Sequence, residues 1–306
     1  MKKILIGLIL LLAIGLGAVY LFIPGKLQTR ASININAASP GVFRSLSGND
    51  SWKNFWPGET PFKLGDNTYA IRGRSYNVLG VDISTGGNTV TSTINLLPVK
   101  NDLLTIEWIS EQISSSNPVR RFVQFRQASA LEKELNMILG RIKEFMEQSK
   151  NIYGIDIKQT RVTDSVLISA RRSFNHPPTP KDVDDMIQSL RKYIAEKNAD
   201  EKNLPMLNMI SIDSSPYQVM TAIAVDRELP LTKEFAPKFL LKGGNILETE
   251  VKGGPYAIKN AFKELENYRS DLKYDSPAIP YQLLVTDRMK ETDTSKWITK
   301  IYYPIY

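Results

Sequence analysis

Between residues 156 and 306 the sequence repeats itself at a fixed distance. Pro180, Leu190 and Tyr193 recur as Pro255, Leu265 and Tyr268, and Pro205 recurs as Pro280, each 75 positions on without a gap. Four matches at one offset, each at the same place in a repeated order of elements, are not a chance spacing of common residues. Each copy reads strand, helix, strand, strand. The first runs 165–174, 180–197, 206–213 and 217–225, and the second runs 245–251, 255–270, 281–286 and 297–303. Both helices open on Pro, which suits a first helical position where no N–H is needed. Thr179 is placed to cap the first of them. Val183, Met186, Ile187, Leu190 and Ile194 form one apolar face, and Ile258, Ala261, Phe262 and Leu265 the other. The expectation for 156–306 is a tandem βαββ domain.

Residues 30–150 predict a separate α+β unit. A short strand over 31–37 leads to Ser39-Pro40, where a hydroxyl and a pre-set φ are placed to open a helix. Trp52, Phe55 and Trp56 follow as an aromatic cluster. Alternation then predicts strands over 68–72, 76–83, 89–97, 104–110 and 119–125, separated by turn-rich breaks. Leu131, Leu135, Ile138, Leu139, Ile142, Phe145 and Met146 recur at helical spacing and predict a long closing helix over 129–150.

Ahead of both units, Ile4 to Ile23 is an uncharged run of 20 residues between Lys2-Lys3 and Pro24-Gly25-Lys26. As a helix it spans roughly 30 Å, the thickness of a bilayer's hydrocarbon. Gly15-Leu16-Gly17 would serve as a signal-peptide cleavage site, but the run stays apolar beyond it. Residues 1–25 are therefore expected to be a transmembrane helix, single-pass, with the folded domains extracytoplasmic. No Cys follows the run, which excludes a lipid-modified Cys. The absence of Cys and the single His, His176, exclude thiolate sites and multi-histidine metal cages. A net charge of +7 is scattered along the chain. It forms no stripe of the kind that nucleic acid would require, so no nucleic-acid partner is expected.

The order of elements in 30–150, with its Ser39-Pro40 to Trp56 opening and closing helix, resembles the START-like superfamily (the SRPBCC, or polyketide cyclase, group). That resemblance implies a helix-grip fold, with a curved sheet around the last helix and an apolar pocket between them. The family has no shared catalytic residue to carry over. Gly253-Gly254-Pro255-Tyr256, the Leu265 to Tyr268 helix face, Tyr281 and the run Trp297 to Ile305 resemble the GyrI-like, or effector-binding, domain. It implies binding of apolar, often aromatic and cationic, small molecules in a cleft between the repeats. An anchor followed by these two units also resembles an arrangement found in bacterial envelope proteins.

The same resemblance marks the site residues. The position of Lys300 usually holds a Glu among aromatics, so an ammonium here would invert the preferred ligand charge, unless its long stem carries it to water. Strand alternation puts Ile298 and Tyr302 on the side of Lys300. Phe174, Tyr217, Tyr256, Tyr281, Trp297 and Tyr302 are the candidate cleft walls. Some relatives of this fold are hydrolases using Glu and Tyr, for which Glu248, Glu250 and Tyr256 are the candidates. Glu248 and Glu250, two apart on a strand, would otherwise share a solvent face. His176 sits in a turn and no Gly-x-Ser-x-Gly elbow accompanies it, which argues against a triad. The sequence thus predicts a membrane-tethered binding module for an apolar small molecule, with no cofactor or metal. A hydrolase or isomerase and a structural or partner-binding envelope protein are the alternatives.

Overall fold

A computed structural model describes Gly7, residues 14–210 and residues 216–306. Two compact units divide the chain between Ile152 and Tyr153. Nine of the 20 residues of the run expected to cross a membrane, 4–6 and 8–13, lie outside the described residues, and residues 14–22 are helical. No helix among the described residues is long and apolar enough to cross a membrane.

The first unit is an antiparallel sheet gripped by one long helix. Its strands are β1 (Lys26–Ile35), β2 (Lys63–Leu64), β3 (Asn67–Ser75), β4 (Val78–Thr85), β5 (Asn88–Lys100) and β6 (Leu103–Ile113), in the order β1-β6-β5-β4-β3-β2. Two short helices, α1 (Ser39–Ser47) and α2 (Asn49–Trp52), follow β1, and α3 (Pro118–Met146) follows β6. Helix α3 takes in residues 119–125, which the sequence reading assigned to a strand. Val119, Phe122 and Val123 have helical spacing, and the start is fixed by Asn117. Its side chain accepts from the backbone N–H of Val119 at 3.0 Å and of Arg120 at 3.1 Å, with Pro118 in the first turn. Ser39 does not cap α1 as expected: Ala38 holds the cap position, and the Ser39 hydroxyl is buried without a hydrogen-bond partner among the described residues.

Between sheet and helix the first unit is filled rather than hollow. Trp52 stacks on Trp56 with ring centres 5.7 Å apart and meets Phe62 and Trp108 edge-on. Both fully buried indoles are satisfied, Trp52 by the Leu46 carbonyl at 2.8 Å and Trp108 by the Ser92 hydroxyl at 2.9 Å. Leu135, Ile138, Leu139, Ile142 and Met146 of α3 close the cluster. The apolar pocket that the START-like resemblance implied between sheet and helix is occupied by these side chains.

A second antiparallel sheet forms the other unit, after α4 (Ser149–Tyr153). Its strands are β7 (Lys158–Arg161), β8 (Val166–Phe174), β9 (Met206–Ile210), β10 (Tyr217–Ala224), β11 (Phe235–Phe239), β12 (Asn245–Lys252), β13 (Tyr281–Leu284) and β14 (Ile298–Pro304). Their order is β11-β8-β10-β9-β13-β14-β12-β7. Helices α5 (Pro180–Glu196) and α6 (Pro255–Asp271) are 75 residues apart at both ends and pack on the same sheet face. Leu207 of β9 pairs with Gln282 of β13, its own counterpart 75 residues on, so the pseudo-two-fold axis passes between them. Thr179 and Asp182 form a reciprocal capping box at the start of α5.

Strands β7 and β11 were not expected. Each precedes one repeat in sequence but pairs at the edge of the other, β7 with β12 and β11 with β8. Lys158–Arg161 has no apolar residue to signal a strand, and Pro237 in β11 is tolerated because that strand lies at the sheet edge. The segments that follow them bond to each other where they cross. Leu240 N–H donates to the Ser165 carbonyl, and Gly243 N–H to that of Val162, both at 2.9 Å.

Candidate functional site

Pairing around the axis sorts the predicted site residues by face. Leu247, Thr249 and Val251 of β12, and Thr299 and Ile301 of β14, point toward the helices and are buried. Alternation sends Glu248, Lys300 and Tyr302 to the opposite face. There Tyr302 lies between Glu248 on β12 and Tyr281 on β13, directly paired with both. Tyr281 and Tyr302 stack at 5.3 Å with ring planes 22° apart. The Lys300 ammonium reaches diagonally to the Glu248 carboxylate at 2.9 Å.

Glu248, Tyr281 and Tyr302 line a recess of about 220 Å³ between the two repeats, and Lys300 stands beside it. Met206, Leu283 and Ile246 give it an apolar floor, and Thr160 and Arg161 of β7 with Thr163 and Asp164 just after it form a wall. Asn203 completes it, its amide donating to the Asp164 carboxylate at 2.7 Å. Burial pushes the Tyr302 hydroxyl up to about 12, helped by the neighbouring Glu248 carboxylate. Burial also raises Tyr281 above the usual phenol range, with Tyr302, Asp164 and Glu248 adding to it. Both phenols therefore stay protonated near neutral pH and act as neutral donors and stacking surfaces, not as bases.

Lys300 takes neither course that the sequence offered it. Its ammonium is neither free in the recess nor turned out to water, because the adjacent strand supplies a carboxylate. Arg161 and Asp164 cancel in formal charge, and Glu248 is neutralised by Lys300 beside the recess, so the site carries no net charge. An inverted preference for anions does not follow from Lys300.

The remaining predicted residues lie elsewhere. Phe174 pairs with Tyr217 across β8 and β10, and Phe174 packs against the core beneath α5, on the helix side. Trp297 is buried on the same side and donates its indole N–H to the Glu291 carbonyl at 2.8 Å. Tyr256 is 86% exposed at the start of α6. Glu250 is exposed. The structure thus brings Tyr281, Lys300, Tyr302 and Glu248 together, and does not unite Glu248, Glu250 and Tyr256. Asp164, Asn203 and Thr160 were missed by the sequence reading. Thr160 and Asp164 reach the recess through a strand exchange that no local pattern announces, and Asn203 comes from the loop between α5 and β9.

No family model matches the chain, and no curated protein matches it. Among solved structures, the EcmrR C-terminal domain is 13% identical over 50% of this chain and 98% of its own, with a TM-score of 0.41. A hydrolase from Listeria innocua is 8% identical over 49% of this chain and 91% of its own, with a TM-score of 0.37. The Zhui aromatase/cyclase from a Streptomyces species is 6% identical over 38% of this chain and 93% of its own, with a TM-score of 0.23. Likenesses this distant carry no argument. The fold stands on its own strand order and register: an α+β chain of two antiparallel sheets, the second of them built from a duplicated βαββ unit.

Proposed function

We propose that this chain is a membrane-tethered, extracytoplasmic binding protein that takes a small molecule into the recess between its two βαββ repeats. One observation carries the reading: stacked Tyr281 and Tyr302 converge with Glu248, itself neutralised by Lys300, on a recess with an apolar floor. A flat apolar or aromatic body would stack beside the tyrosines, and its polar edge would bond to their hydroxyls or to Asn203. The ligand class is apolar with a few hydrogen-bonding atoms and no net charge, because the site has none to offset. An acid–base role for Tyr256 fits poorly, since its ring stands in solvent on an element of the other sheet face.

Support for the tether comes from the first unit. Ile14, Leu21 and Phe22 of the helical residues 14–22 are exposed. That segment ends beside the start of α3: Arg121 donates to the Ile23 carbonyl at 3.0 Å, and Ser114 N–H to that of Gly25 at 2.9 Å. In its first turns α3 turns Val119, Phe122, Val123 and Phe125 outward, away from the face that buries Leu135 and Ile142. Apolar side chains beside the root of an apolar segment, with Arg120 and Arg126 among them, suit a lipid interface.

A thermal-shift screen of neutral aromatic compounds on the detergent-solubilised full chain tests the recess. The reading expects hits whose stabilisation is lost in Tyr302→Ala. Hits that stabilise this variant equally would move the site elsewhere. Extraction of cell membranes at high pH tests the tether, because a chain released by it would not be anchored.

A further inference from the structure

The opposite face of the same sheet holds a second concavity, between α5 and α6, that the proposed function does not use. It measures about 230 Å³. Val183 and Ile187 of α5, Leu207 and Met209 of β9, Leu284 of β13 and Trp297 give it apolar walls. Two guanidinium groups also line it, those of Arg191 and Arg288. Arg288 spends one nitrogen, Nη2, on the buried Gln282 and Thr299 side chains at 3.1 and 3.0 Å. The group lies over the Trp297 ring, its carbon 4.6 Å from the ring centre. Its Nε and Nη1 donors have no hydrogen-bond partner among the described residues, and no carboxylate there pairs with it.

A half-buried cation without a counter-ion is costly, and buried guanidinium groups are ordinarily paired. Burial alone holds Arg288 well below the usual arginine range, to about 10, with no charged group offsetting it. The carboxylates on the groove rim do not serve that purpose. Asp184 and Asp287 act on Arg191, which is bonded to Glu201 at the other end. Nη2 belongs to both of the group's two-bond edges, so Nε and Nη1 remain as separate donors, each able to give a carboxylate oxygen one charge-assisted bond in an apolar groove.

We propose that this groove is an anion site of its own, taking a small organic carboxylate with an apolar or aromatic body. The carboxylate would accept a single charge-assisted bond from Nη1 or Nε of Arg288. Its body would lie along Trp297, Leu284 and Ile187. The groove is smaller than most ligand pockets of roughly 300–1,000 Å³, which limits the body to one or two rings or a short chain.

Three probes of one shape test this on the full chain in detergent: 2-naphthoate, 2-naphthol and 2-naphthylmethylammonium. Equilibrium dialysis reads the binding, and Trp297 fluorescence reports the place. The carboxylate should bind at least tenfold more tightly than the alcohol, and the ammonium most weakly. Arg288→Gln should abolish the preference for carboxylate over the alcohol. Tyr302→Ala, in the other recess, should leave 2-naphthoate binding intact. Because Arg288 also holds Gln282 and Thr299, Ile187→Trp, which fills the groove without touching those bonds, is the second variant, and it should block all three probes. Equal affinity for the three probes, no binding of 2-naphthoate at millimolar concentration, or loss of its binding in Tyr302→Ala would each overturn the proposal.

Discussion

Lys300 stands beside the recess and neutralises Glu248, which lines it. The sequence located Lys300 on the right strand and face, since alternation along one strand is a local property. Its partner was not legible. Glu248 lies 52 residues away in sequence, and only the register of β12 on β14 puts the carboxylate within reach. Lys300→Met leaves that carboxylate part-buried and unpaired, so it should cost about 1–2 kcal/mol after allowance for the exposure of both groups. Combined with Glu248→Gln it should cost less than the sum, with a coupling of about 0.5–2 kcal/mol in urea denaturation. Full additivity would mean that the pair contributes nothing. Tyr302 sets a second expectation. A phenol raised in the folded state contributes stability that is fully present below its unfolded value of about 10. That contribution is lost as pH rises through about 12, where the folded group ionises. Stability should therefore fall between pH 10 and 12, and the fall should be shallower in Tyr302→Phe.

Helix α3 shows where reading by local pattern stops working. Its buried half was legible from Leu131 to Met146, because a 3.6-residue stripe lies against a core there. Its first turns carry β-branched and aromatic residues on the outward face, and such residues read as a strand when nothing shows what they lie against. The start is set instead by Asn117, and Asn117→Ala should cost about 1 kcal/mol in urea titrations. Replacing Phe122 and Val123 by Ser should leave thermal stability within about 0.5 kcal/mol of wild type, since both are exposed surface positions. The same double substitution should weaken lipid contact, read as reduced protection of α3 from a membrane-embedded photolabel. Strands β7 and β11 were illegible for a different reason. Each is short, edge-lying and held by pairing with the repeat that it does not belong to.

On the scale of the whole molecule, each unit closes a core of its own. The first is centred on Trp52, Trp108 and α3, and the second is divided among clusters beneath α5, beneath α6 and on the face of the recess. Trp108→Ala should cost about 3–5 kcal/mol, and should lower only the calorimetric transition that belongs to the first unit. The duplication was the most legible feature of the chain. A 75-residue offset in sequence became two equal helices and a two-fold axis through the Leu207–Gln282 pair. Tyr281 and Tyr302 at the recess were among the residues expected as cleft walls, and the wall that the exchanged strand brings to it was not. That recess is where the account is most exposed to test. Mass spectrometry of small molecules extracted from the purified full chain should find a neutral, largely apolar compound. It should be present in wild type and in Arg288→Gln, and absent from Tyr302→Ala. An extract in which no compound depends on Tyr302 would contradict it.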